Sequence, residues 1–174
     1  CPGAAFSHLR TSPTCDMMGT TKVSEKPHDR GKKRGKSDDA KESIKENMIM
    51  AREIINTEKA PAAIGPYSQA IEANGFVFAS GQIPVDPETG VIPEGIEAQA
   101  EQVMKNMKNL LEAAGTSIDQ VVKTCVFIKN MDDFATINGI YAKYFAKDCP
   151  ARSCVEVARL PKDVLLEMEA IAVK

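Results

Sequence analysis

Between residues 96 and 114 the apolar side chains Ile96, Ala100, Val103, Met104, Met107, Leu110, Leu111 and Ala114 recur at steps of three and four. That is the period of a helix with one buried face, and Gly115 directly after it is a natural stop. The methionines fall on the same stripe, so packing accounts for them without a metal or redox role. A second helix is predicted to start near Asp132, which can cap it, and to carry Phe134, Ile137, Tyr141, Tyr144 and Phe145. Other apolar runs are shorter. Residues 53–56 read as a first strand, and 68–73 and 76–80, joined through Asn74-Gly75, carry the strongest hairpin signal in the chain. Residues 60–67 and 81–95, rich in proline and glycine, read as loops, whereas 121–129 reads as a strand with both faces apolar or small.

Two further β-rich runs, 152–158 and 164–172, flank Leu160-Pro161-Lys162-Asp163, a turn signal that predicts a closing hairpin. With the loop at 160–163, Arg159 faces Val164. Arg152, Cys154 and Glu156 then share one face with Glu167 and Glu169, and Ser153, Val155 and Val157 share the other with Leu166, Met168 and Ala170. The order strand, hairpin, helix, strand, helix, hairpin predicts an α+β fold with a mixed sheet of about six strands and both helices on one side. The other side is left bare, carries Arg152, Cys154 and Glu167 on this reading, and calls for a partner, most simply a second copy.

Charge divides the 174 residues. Residues 1–50 hold 10 basic and 7 acidic side chains, net +3, and 51–174 hold 12 and 17, net −5. The first segment is poor in bulky apolar residues and reads as a disordered extension or an expression remnant, with Met48 or Met50 as a natural start. Its basic run, Gly31 to Lys36, stands beside Asp38 and Asp39, so a solvated tail is favoured over a nucleic-acid arm. Residues 51–174 have the size of one domain. No apolar run has membrane-spanning length, and no signal-peptide core opens the chain.

The five cysteines are odd in number and none has Cys-x-x-Cys spacing, which fits reduced thiols in a cytoplasmic compartment. His8 and His28 are the only histidines. Both lie in the extension, which argues against histidine-based triads and zinc sites in the domain. Phosphate-loop and dinucleotide fingerprints are lacking, as are metal-ligand clusters. Neither a cofactor nor a metal is therefore expected.

Among the remaining polar residues, Arg152 offers a rigid fork that can hold a carboxylate by two hydrogen bonds. An ion pair with Glu167 or Glu169 explains it equally well. Glu156, Glu167 and Glu169 are interchangeable candidates for a carboxylate that orients water. Cys154 lacks a histidine to activate it and reads as a small packed side chain. Tyr67, Ser80 and Gly81 lie in loop sequences, and Asn138 lies on the second helix. By themselves they read as turn residues and a buried amide.

The run Pro150-Ala151-Arg152-Ser153-Cys154-Val155-Glu156-Val157-Ala158-Arg159-Leu160-Pro161-Lys162-Asp163-Val164, followed by Glu167-Met168-Glu169-Ala170-Ile171-Ala172, resembles the C-terminal signature of the RidA/YjgF family of imine deaminases. Ala60-Pro61-Ala62-Ala63-Ile64-Gly65-Pro66-Tyr67-Ser68-Gln69-Ala70, Ala79-Ser80-Gly81-Gln82-Ile83-Pro84-Val85 and Asp133-Phe134-Ala135-Thr136-Ile137-Asn138 occur in that family's order, so the likeness spans about 52–174. The resemblance implies a chorismate-mutase-like homotrimer with clefts between subunits and hydrolysis of 2-imino acids to 2-oxo acids and ammonia. It implies that Arg152 holds the substrate carboxylate and Glu167 handles water and proton. By the same resemblance Tyr67 lines the pocket, Ser80 and Gly81 supply hydrogen bonds, Asn138 contacts ligand near the interface, and Cys154 lines the cleft. A trimer that only binds small acids, or acts as a chaperone, remains an alternative. Ribonuclease or translation-inhibitor activity ranks lower, because the domain is acidic and lacks imidazole and a basic, aromatic stripe.

Overall fold

A computed structural model describes residues 52–174. The extension, its basic run and both histidines lie outside the described residues. The elements are β1 (Arg52–Ile55), β2 (Ala70–Ala73), β3 (Phe76–Gln82), α1 (Ile96–Ala113), β4 (Val121–Ile128), α2 (Phe134–Tyr144), β5 (Ala151–Glu156) and β6 (Leu166–Val173). They form the expected six-stranded mixed sheet with two helices. Its strand order is β1-β2-β3-β6-β4-β5, with β4 and β5 parallel and all other neighbours antiparallel.

The local signals held where one short stretch decides the outcome. Asn74 and Gly75 take φ of 53° and 77°, the paired left-handed geometry of a tight two-residue hairpin turn. The stripe Ala100, Val103, Met104, Met107, Leu110 and Leu111 is buried in the core, and α1 ends before Gly115 at φ 77°. Two polar residues of α1 are buried as well. Asn106 Nδ2 donates to the carbonyls of Ile83 and Val85 at 3.0 and 2.8 Å, and Gln99 Oε1 accepts from the Leu165 amide at 2.8 Å. They satisfy loop backbone that would otherwise be orphaned. The cap of the second helix differs from expectation. A 3-10 turn, Met131–Asp133, leads into α2 and is capped by Asn130, which accepts from the Asp132 amide at 3.0 Å, while α2 itself starts after Asp133 with no side-chain cap.

The closing hairpin does not form. β4 lies between β5 and β6 and bonds to both. The Val157 amide still donates to Ile128 O, and the Lys129 amide donates to Leu165 O, so the chain leaves one side of β4 and returns on the other. Pro161–Asp163 is a 3-10 turn, with Lys162 and Asp163 both at φ 56°. Arg159 forms an ion pair with Asp163 instead of facing Val164 across a ladder.

Inserting β4 changes the phase by one residue, and a one-residue slip moves every side chain to the opposite face. Across the sheet, Arg152 aligns through Thr124 with Ala170, and Cys154 through Val126 with Met168. Both therefore lie on the helix-covered side. Glu167 aligns through Phe127 with Val155, and Glu169 through Cys125 with Ser153, on the open side. Glu156 sits on the helix side at the register of Ile128 and Leu166. The expected sharing of one face by Arg152, Cys154, Glu156, Glu167 and Glu169 is thus corrected, as is the grouping of Val155 with the core. Ile54, Phe76, Phe78 and Val155 are exposed and give the open side an apolar character.

Candidate functional site

The predicted residues gather in two clusters on opposite faces of the sheet. The first is built on the edge strand β5 and on α2. The Arg152 guanidinium carbon lies 4.6 Å from the Tyr141 ring centroid and 5.5 Å from that of Phe134. None of the salt bridges among the described residues involves Arg152, so the ion pair with Glu167 or Glu169 is not formed. The Tyr141 hydroxyl shares a hydrogen bond of 2.8 Å with Thr124 Oγ1. Asn138 stands four residues after Phe134 and three before Tyr141 on α2, a spacing that puts the three on one helical face. Cys154 packs against the core. Burial pushes its thiol above the ordinary range and the charge of Arg152 opposes this more weakly, so it is a protonated, weakly nucleophilic group.

The second cluster involves β3, the loop before β2, and β6. A Cβ placed on Gly81 would lie 1.8 Å from Glu167 Oε1, so only the missing side chain lets the carboxyl fold over this strand. Burial raises the proton affinity of Glu167, and the charge of Glu169 adds to it. Ser80 donates from its hydroxyl to Ser68 O at 2.7 Å, and from its amide to Gln69 O at 3.0 Å. It thereby ties the Tyr67 loop to β3. Tyr67 is 49% exposed, and its hydroxyl accepts from the Ile64 amide at 3.3 Å. A cavity of about 170 Å³ is lined by Ile64, Tyr67, Gly81, Gln82, Ile83 and Lys162 among others.

The three carboxylates are no longer equivalent. Glu156 Oε2 accepts from the Met131 amide at 2.8 Å and so supports the entry to α2. Glu169 is exposed beside Cys125, whose thiol burial and this neighbour push upward. Glu167 alone is part-buried, with its carboxyl over Gly81. Among the described residues no three His, Cys, Asp or Glu side chains gather as a metal site would require. A wider trough of about 940 Å³, lined by Lys59, Lys105 and Asn109 among others, contains none of the predicted site residues.

Thr124, Phe134 and Tyr141 were missed by reasoning from sequence. Their signals were present: a threonine inside an apolar strand, and two aromatic residues spaced to share a helix face with Asn138.

The family model described as Endoribonuclease L-PSP matches residues 57–174. The chain belongs to this family. A 2-iminobutanoate/2-iminopropanoate deaminase of Salmonella typhimurium is 55% identical over 123 residues, covering 69% of this chain and 96% of the relative. The solved YjgF gene product of E. coli superposes with a TM-score of 0.68 at 52% identity, over 70% of this chain and 98% of that one. E. coli TdcF with bound serine gives 0.68 at 51% identity, over 70% and 98%. The resemblance to RidA/YjgF proteins is borne out, and family members share the six-stranded fold.

Proposed function

We propose that the protein hydrolyses 2-imino acids to 2-oxo acids and ammonia, as the name of its Salmonella relative describes for that enzyme. The observation that carries this reading is the presence of two complementary groups: an arginine with no carboxylate partner among the described residues, and a part-buried glutamate of raised proton affinity. The Arg152 fork holds the substrate carboxylate. Water adds to the carbon of the C=N bond while Glu167 takes one of its protons and passes it to the nitrogen. Glu167 then takes the hydroxyl proton of the carbinolamine and delivers it to the amino nitrogen, the C=O bond forms as the C–N bond breaks, and ammonia leaves. A carboxyl whose proton affinity is raised by burial suits both halves of this transfer. Serine, bound in TdcF, carries an α-carboxylate and a nitrogen like those of a 2-imino acid.

Arg152 and Glu167 lie on opposite sides of one sheet, which supports a cleft shared between subunits. The Arg152 cluster of one copy meets the Glu167 cluster of the next, with Tyr67, Ser80, Gly81, Asn138 and Cys154 around the substrate. The apolar open face supplies the association surface, and we take the assembly to be the homotrimer that the family resemblance implies. The described residues include no helix long and apolar enough to cross a membrane. We place the protein in the cytoplasm on its odd cysteine count and on Cys125, Cys149 and Cys154 being free among the described residues. The endoribonuclease wording of the family model is the weaker reading here, because residues 51–174 carry net −5 and contain no histidine. Purified protein is expected to accelerate the loss of freshly generated 2-iminobutanoate, with ammonia and 2-oxobutanoate as products. Decay at the rate of buffer alone would refute the proposal.

A further inference from the structure

We infer that Tyr141, anchored by Thr124, is the positioning residue that aims the Arg152 fork, an inference that rests on the reading of Arg152 as the carboxylate holder. Arg152 projects from an edge strand, and among the described residues no carboxylate pins it. Left alone, its side chain would sample many rotamers, and the directional value of the fork would be lost. Tyr141 restricts it from one face. Its ring lies 4.6 Å from the guanidinium carbon, a cation–π arrangement.

The ring is itself held. Thr124, fully buried, bonds the hydroxyl at 2.8 Å, and Phe145 packs on the ring at a tilt of 37° with centroids 4.4 Å apart. Thr124 is also the residue of β4 aligned with Arg152. The strand that fixes the arginine backbone therefore fixes the ring under its head group. The ring contact engages the cation through the π-face and supplies no hydrogen-bond acceptor to its N–H groups. The in-plane donors stay available for two parallel bonds to a carboxylate. Phe134, at 5.5 Å, adds a second, looser wall.

A residue that only fills the core would not orient a cation, and this separates the two roles. The probe is 2-oxobutanoate, which keeps the carboxylate and cannot be deaminated. Tyr141→Leu is expected to weaken its binding about tenfold, a loss of about 1.4 kcal/mol. KM for 2-iminobutanoate should rise by a similar factor, while kcat, which depends on Glu167, changes less. Tyr141→Phe should recover most of the affinity because the ring remains. In the wild-type protein the Arg152 Nε–H resonance should be displaced by the ring current, and Tyr141→Leu should move it toward the value of a free arginine.

An undisplaced resonance in wild type would overturn the inference without any variant, even if Tyr141→Leu failed to fold. So would Tyr141→Leu that binds 2-oxobutanoate as tightly as wild type. Wild type that binds the probe and shows the ring-current shift but turns over no imine would remove the proposed enzymatic reaction and leave this inference standing. Wild type that does not bind the probe would remove both.

Discussion

The Arg152 cluster and the Glu167 cluster reach order by opposite means. Arg152 is positioned by what surrounds it: Tyr141 and Phe134 from α2, with Thr124 behind them, all parts of rigid elements. Glu167 is positioned by what is missing, since its carboxyl occupies the space a side chain at residue 81 would fill. In the first arrangement two rings constrain the same cation, so losing one loosens its aim without releasing it. The second depends on one glycine. Binding and proton transfer should therefore respond differently to substitution, and the two clusters can be separated by experiment.

The largest effect is expected from Glu167→Gln. Removing a general acid–base costs about a hundredfold to ten-thousandfold in turnover, whereas 2-oxobutanoate binding should survive. Parallel loss of binding would place Glu167 in the binding half instead. Gly81→Ala comes next. The atom it meets is the end of a flexible side chain, so the fold should hold while the carboxyl is pushed aside. A displacement of about 1 Å can cost roughly a hundredfold in rate. A melting temperature near that of wild type together with lost turnover is the expected pattern, and full activity would show that the carboxyl need not lie over β3.

Arg152→Lys should cost roughly tenfold to a hundredfold in kcat/KM, because the charge remains and about one charge-assisted hydrogen bond of 1.5 to 3 kcal/mol is lost. Oligomer mass should not change. Dissociation or unfolding would give Arg152 a structural role. Cys154→Ala is the smallest, with less than about a threefold change, since a protonated thiol packed on the core does not act as nucleophile. Loss of turnover on the scale of Glu167→Gln would reverse that assignment.

The contrast between clusters also marks what the sequence could disclose. Helix α1 and the Asn74-Gly75 turn were legible because their signals are local: a 3.6-residue stripe and a dipeptide suited to positive φ. The pairing of β5 with β4 was not. Two β-rich runs around Pro161 look alike whether they pair directly or enclose a third strand, and only long-range pairing distinguishes the cases. That single ambiguity put Arg152 and Glu167 on the same face. The roles proposed for them rest on family motifs, which do not specify which faces the residues occupy. The ring of Tyr141 was unreadable as a support for Arg152 until α2 was seen packed beside β5, although Phe134, Asn138 and Tyr141 already shared a helical face.

Two inactive variants provide the most direct test of a site shared between copies of the chain. Arg152→Ala and Glu167→Gln would be co-expressed with different tags, and assemblies carrying both tags would be isolated and assayed with 2-iminobutanoate. In such assemblies some clefts take their intact Arg152 and their intact Glu167 from different subunits, about one in three by the symmetry of a mixed ring of three. Turnover near that fraction of wild type is expected. Mixed assemblies as inactive as either parent would contradict a site composed of one cluster from each of two subunits.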